Sequence, residues 1–158
     1  MLVVSDNSAL SALAEIGLLE LLPKVVGSVT VPASVAREGV AVGAPEALRN
    51  FMLNPPEWLT VVPDPPCMLD ETRALGAGEA AALTLAWEHR NECTLVLDEK
   101  RGRAVARALG LEMIGVLAIV TQASLAGLTD FEDALSKLLA TGFRLSAALI
   151  ANAREKIS

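Results

Sequence analysis

The chain has 158 residues, 53% of them hydrophobic and 20% charged, so it can bury a sizeable core and is too apolar for a disordered chain. Aromatics are scarce and Tyr is absent, which leaves the core to Leu, Val, Ile and Ala. The net charge of −6 argues against a protein that coats nucleic acid by broad attraction, though not against a local basic strip.

The elements follow in chain order. Residues 2–6 form an apolar run that reads as a strand ending on Asp6. Ser8 is placed to cap the next helix, which carries Leu10, Leu13, Ala14 and Ile16 and breaks at Gly17. Leu18 to Leu22 reads as a short helix stopped by Pro23, and Val29 to Val31 as a second strand ended by Pro32. A helix from Ser34 reaches Glu38 and ends near Gly39 and Gly43; another spans Pro45 to Leu53. Trp58 to Val62 is a third strand, followed by the stiff loop Pro63-Asp64-Pro65-Pro66.

Gly76-Ala77-Gly78 opens the strongest helix, Glu79 to Arg90, which buries Ala80, Leu83, Ala86 and Trp87. Thr94 to Asp98 is a fourth strand, again ending on an aspartate. Arg101 to Leu109 is a helix closed by Gly110, and Leu111 to Ile114 a short fifth strand. Gly115 to Ala126, Asp130 to Ala140 and Leu145 to Lys156 are three closing helices. Strands alternating with helices imply one α/β domain over residues 1–158, with a parallel sheet and helices on both faces.

In such a sheet, ligands gather at the strands' C-terminal edge, where Asp6 and Asp98 fall. Each aspartate can also be a plain helix cap: Asp6 for the first helix, Asp98 for the one starting near Arg101. Glu79, in the first turn of its helix, either favours the helix dipole or faces the same edge, and its flanking glycines permit close approach. Glu38 has no local feature that separates it from the chain's other glutamates. Four carboxylates converging there would repel one another, and a divalent cation would relieve that repulsion. Lys100, Arg101, Arg103 and Arg107 follow Asp98 either as a solvated helix face or as a strip that contacts phosphate. His89 has no partner for triad chemistry, and Gly76 to Gly78 lacks the Gly-Lys-Ser/Thr ending of a phosphate loop.

Together these segments resemble the PIN-domain family, in particular its VapC-like branch. Val3-Val4-Ser5-Asp6-Asn7-Ser8 is similar to the family's strand-end Asp with a nearby Ser. Val31-Pro32-Ala33-Ser34-Val35-Ala36-Arg37-Glu38 resembles its Val-Pro-x-x-Val-x-x-Glu segment, and Leu75-Gly76-Ala77-Gly78-Glu79 its Leu-Gly-x-Gly-Glu helix start. Leu95-Val96-Leu97-Asp98-Glu99 resembles its second strand-end acidic pair; Gly115-Val116-Leu117 and Gly142 to Ser146 also look like this branch. The chain departs from the pattern at Asn7, at Glu79 where many members have Asp, and at Glu99 where a second Asp is usual.

The resemblance implies a three-layer α/β/α fold around a mostly parallel sheet of about five strands. It implies cleavage of RNA dependent on Mg²⁺ or Mn²⁺, as the toxin of a toxin–antitoxin pair, with a small antitoxin as partner and a homodimer as the assembly. Asp6, Glu38, Glu79 and Asp98 fall on the family's acidic, metal-binding cluster; Ser8 and Glu99 support it, and Lys100, Arg101 or Arg103 would orient the RNA backbone. The alternative is a catalytically weak or inactive binding protein on the same fold. A phosphatase with Asp6 as nucleophile would carry a second Asp where Ser8 stands, and a dinucleotide-binding enzyme would need a glycine fingerprint after the first strand. Cys67 and Cys93 have no metal-binding spacing and read as reduced thiols. With no leader visible and no apolar run long enough to span a bilayer, the expected location is the cytoplasm.

Overall fold

The computed structural model describes all 158 residues. Five parallel strands lie in the order β3-β2-β1-β4-β5: β1 (Leu2–Ser5), β2 (Val29–Pro32), β3 (Leu59–Val62), β4 (Cys93–Val96) and β5 (Met113–Ile114). The central pair is in register over four residues, Leu2 with Cys93 through Ser5 with Val96. β1 and β4 are almost wholly buried, which is why they read as continuous apolar runs rather than alternating ones.

Nine α-helices complete the chain: α1 (Asn7–Glu15), α2 (Leu21–Val26), α3 (Ala33–Gly39), α4 (Glu46–Leu53), α5 (Ala77–Glu88), α6 (Lys100–Ala108), α7 (Val116–Leu125), α8 (Phe131–Ala140) and α9 (Ala147–Ile157). They flank the sheet as three layers, α/β/α. The sheet and its helices share one cluster of 33 buried residues, with Val4, Leu10, Leu83, Leu95 and Ile119 fully enclosed. No helix is long and apolar enough to cross a membrane.

Several local expectations change. Pro23 does not stop a helix but lies in the first turn of α2, where a missing N–H costs nothing; residues 18–20 form the turn before it. A short 3₁₀ turn, Asp70–Thr72, interrupts the loop before α5. α5 is buried all round from Ala80 to Ala86, because it packs on β1, β2 and β4 while α3 and α6 flank it; Trp87, expected inside, is half-buried, and the Arg90 guanidinium stacks 4.2 Å from its ring centroid. Trp58 pairs with Phe51 at 5.4 Å between ring centroids, as a packing residue.

The strand order places the site. β1, β2 and β3 run outward in one direction, then α5 carries the chain back so that β4 pairs with β1 on its free side. The order of travel therefore reverses between β1 and β4, and at such a switch point a crevice opens beyond the strands' C-terminal ends. Asp6 follows β1 directly and Asp98 stands two residues after β4.

Candidate active site

In a parallel α/β fold the helices run against the strands, so the N-termini of α1, α5, α6 and α7 all lie at the edge that carries Asp6 and Asp98. Each of these N-termini offers free N–H groups and the positive end of a helix dipole. Each is met by a carboxylate.

Asp6 caps α1, a role the sequence offered to both Asp6 and Ser8. Asp6 Oδ1 accepts from the Ser8 N–H (3.0 Å) and the Ser8 hydroxyl (2.7 Å). The same Ser8 oxygen accepts from the Asp98 N–H at 3.0 Å. Ser8 thus ties the ends of β1 and β4 together across the switch point. Removing that hydroxyl leaves the Asp98 N–H without a partner, so Ser8→Ala should cost about 1–2 kcal/mol; denaturant unfolding checks this, and an unchanged midpoint refutes the tie.

Asp98 does not cap the helix after it. Its Oδ2 accepts from the Val116 N–H at 2.7 Å, the first N–H of α7, and Glu99 caps α6 by accepting from the Gly102 N–H at 2.8 Å. Glu99 is half-buried at the site, where the family resemblance placed it in support of the cluster. Glu38, at the exposed end of α3, reaches across to α5 and accepts from the Gly78 N–H at 2.9 Å. Glu79 Oε2 is buried and accepts from no N–H or O–H donor.

Three glycines make these seats, and one of them, Gly102, drew no attention in the sequence. A Cβ on Gly78 would collide with the Glu38 carboxylate. One on Gly102 would stand 2.6 Å from Glu79 Oε2, and one on Gly115 2.8 Å from Asp98 Oδ1. The available signal was a glycine within the first turn of α5 and of α6, where glycine is a poor helix former.

The electrostatics follow from burial first and from neighbouring charges second. Asp6 is only 2% exposed, and burial pushes its carboxyl up to about 6; Ser8's hydrogen bonds pull against this, and the charges of Asp98 and Glu99 add to it. Burial likewise pushes Glu79 up to about 7, reinforced by a hydrogen bond shared with Glu99 and by the charges of Glu99 and Asp6. Asp98 is raised by burial, against the Val116 N–H and the Arg103 charge. Asp6, Glu79, Asp98 and Glu99 therefore form one electrostatic group, whereas Glu38 stands apart on Gly78.

These donors are all carboxylate oxygens, the hard ligands that Mg²⁺ and Mn²⁺ take. The excess of negative charge and the donorless Glu79 oxygen suit a divalent cation. As placed, each of Asp6, Glu38, Asp98 and Glu99 is turned toward a helix N–H, and no three acidic, histidine or cysteine side chains enclose a position for an ion.

Of the basic residues, Arg103 lies beside the site: Nη1 donates to the Leu97 carbonyl at 2.8 Å. Lys100 is exposed on the first turn of α6. Arg101 turns away and donates to the Ala74 carbonyl at 3.1 Å, in the approach to α5. His89 is exposed at the end of α5, and the two cysteines are free, Cys93 buried in β4 and Cys67 exposed.

No curated protein and no solved structure matches the chain. The model of a PIN-domain family does match, over residues 2–158, with the acidic positions at the ends of β1 and β4 inside it; the chain belongs to the PIN-domain family.

Proposed function

We propose that this protein is a metal-dependent endoribonuclease, acting as a single domain over residues 1–158. Membership of a family of generally metal-dependent nucleases gives the reaction class. The observation that carries the reading is the convergence of Asp6, Glu79 and Asp98 at the switch point, their carboxyls all raised first by burial, where a bound cation would favour the ionised form. Asp6, Glu79 and Asp98 would hold Mg²⁺ or Mn²⁺, with Glu38 and Glu99 completing its surroundings. A bound divalent cation acidifies water and offsets charge that builds on the phosphate oxygens.

The chain's own groups do the rest. Ser8 fixes the Asp6 carboxylate toward the cleft through two hydrogen bonds. Arg103, held by the Leu97 carbonyl, and Lys100 offer positive charge to the scissile phosphate.

The finer reading is a toxin of a toxin–antitoxin pair in the cytoplasm, paired with a small antitoxin and assembled as a homodimer. It rests on the likeness of Leu75 to Glu79 and of Gly142 to Ser146 to the VapC-like branch.

The test is cleavage of a mixed single-stranded RNA pool with Mg²⁺ or Mn²⁺, beside Asp98→Asn. Metal-dependent cleavage is expected, with a loss of at least about 100-fold in the variant, some 2.7 kcal/mol of transition-state stabilisation. A second reading, a non-catalytic binding protein, is favoured by the carboxylates' engagement with helix N–H groups. Absence of cleavage by folded, partner-free protein would select it.

A further inference from the structure

A groove of about 1180 Å³ starts at Asp98 and Gly115 and runs between α6, α7 and α9. It is larger than the ~300–1,000 Å³ of small-molecule clefts. Lys100, Arg103, Arg107, Arg144 and Lys156 line it, and Asp98 is its only carboxylate. Five of the chain's 13 cations thus gather against one of its 19 carboxylates. None of the five is paired: the chain's four ion pairs engage Arg37, Arg73, Lys137 and Arg154. In a chain of net charge −6, this is a concentration of positive charge without ion pairs, met only by Asp98 beside Arg103, where it ends at the acidic site.

The floor of the groove is apolar. Leu125, Phe143 and Leu149 lie along it, and the two leucines are 59% and 54% exposed. The combination selects the occupant. A duplex presents phosphates and sugars outward and keeps its bases stacked inside, so it would leave this floor bare. A single strand offers phosphates to the cations and base faces to Phe143 and the leucines.

We infer that this groove is the track for a single-stranded nucleic acid that leads its backbone to the carboxylates, with Arg107, Arg144 and Lys156 as phosphate contacts. The inference rests on the nuclease reading for its direction, since only a substrate needs to end at Asp98. Lys100 and Arg103 hold the phosphate nearest the site, and the other three hold the strand beyond it.

Binding is read without divalent metal, so that no cleavage intervenes, from the anisotropy of a labelled mixed-sequence single-stranded RNA at several salt concentrations. Five contacts predict a log affinity against log salt slope of about −3.5, at about −0.7 per phosphate. The triple variant Arg107→Ala, Arg144→Ala, Lys156→Ala should bind at least tenfold more weakly at 0.1 M salt, with a slope shallower by about 2. Lys24→Ala, Arg73→Ala, Lys137→Ala changes net charge equally but outside the groove, and should leave the affinity within about twofold.

If wild type binds RNA and the groove variant binds with the same slope, the track is elsewhere, and the groove is left for another anionic partner such as an acidic peptide. Duplex bound as tightly as single strand would also overturn the inference. If wild-type protein binds no RNA, the nuclease reading itself falls.

Discussion

Asp6→Asn is expected to abolish RNA cleavage and, in metal-free protein at pH 8, to raise the melting temperature. The two effects share one cause. The Asp6 carboxyl is buried, and its pKa stands at about 6 against an ordinary 3.8. The folded state therefore keeps a proton that the unfolded chain has already lost. Its stabilising contribution is complete below about pH 3.8, falls as pH rises through 6, and is absent at pH 8. A shift of about two units corresponds to about 3 kcal/mol between those limits. Asparagine keeps an oxygen for the Ser8 N–H and carries no charge, so the variant escapes the penalty at pH 8 and gains nothing at pH 4. Part of the gain is offset by the new amide hydrogens, leaving a rise of about 5 °C at pH 8. A divalent cation should raise the wild-type melting temperature at pH 8 and the variant's far less. A variant that melts below wild type at pH 8 would show that Asp6 serves α1 as a cap before it serves any ion.

That dual role explains what the sequence disclosed. Two apolar runs ended by aspartates were legible because β1 and β4 are buried on both faces, and the alternation of elements was enough for a parallel sheet. The strand order was not legible, since nothing local states that α5 returns the chain to the free side of β1. Each aspartate read ambiguously as cap or ligand, and the structure shows why. Helix N-termini and site edge coincide, so one residue satisfies both descriptions. The errors lay in who caps what: Ser8 and Asp98 take partners from distant segments, which leaves the cap of α6 to Glu99, three residues from Gly102. Glu38 was invisible to periodicity, entered only through the family pattern, and is the position that stands apart from the other acids. The groove was beyond local reading altogether. It joins residues 100–107 to 144–156, which meet only after α9 packs on α7.

Gly102→Ala should silence the site while leaving the fold as stable as before. In the first turn of α6, alanine is worth about 0.5–1 kcal/mol more than glycine to the helix. Against that gain, the new methyl group meets Glu79 Oε2 at 2.6 Å and the two Leu97 methyl carbons at 3.3 Å. Leu97 must give by a few tenths of an ångström, which roughly cancels the helix gain. The Glu79 carboxylate has the freer end, so it moves. Expected results are a melting temperature within about 3 °C of wild type, Mn²⁺ binding weakened about tenfold and cleavage lowered by at least as much, comparable to the loss of a supporting ligand contact. Gly43→Ala is the control, because nothing lies within 4 Å of a Cβ there. Shortening the carboxylate offers a rescue: Glu79→Asp withdraws it by one methylene, so the double variant should recover part of the cleavage that Gly102→Ala loses. Full activity in Gly102→Ala would mean that the position of Glu79 does not matter to the reaction. Loss of activity matched by loss of folding, with no rescue by Glu79→Asp, would make Gly102 a packing residue alone.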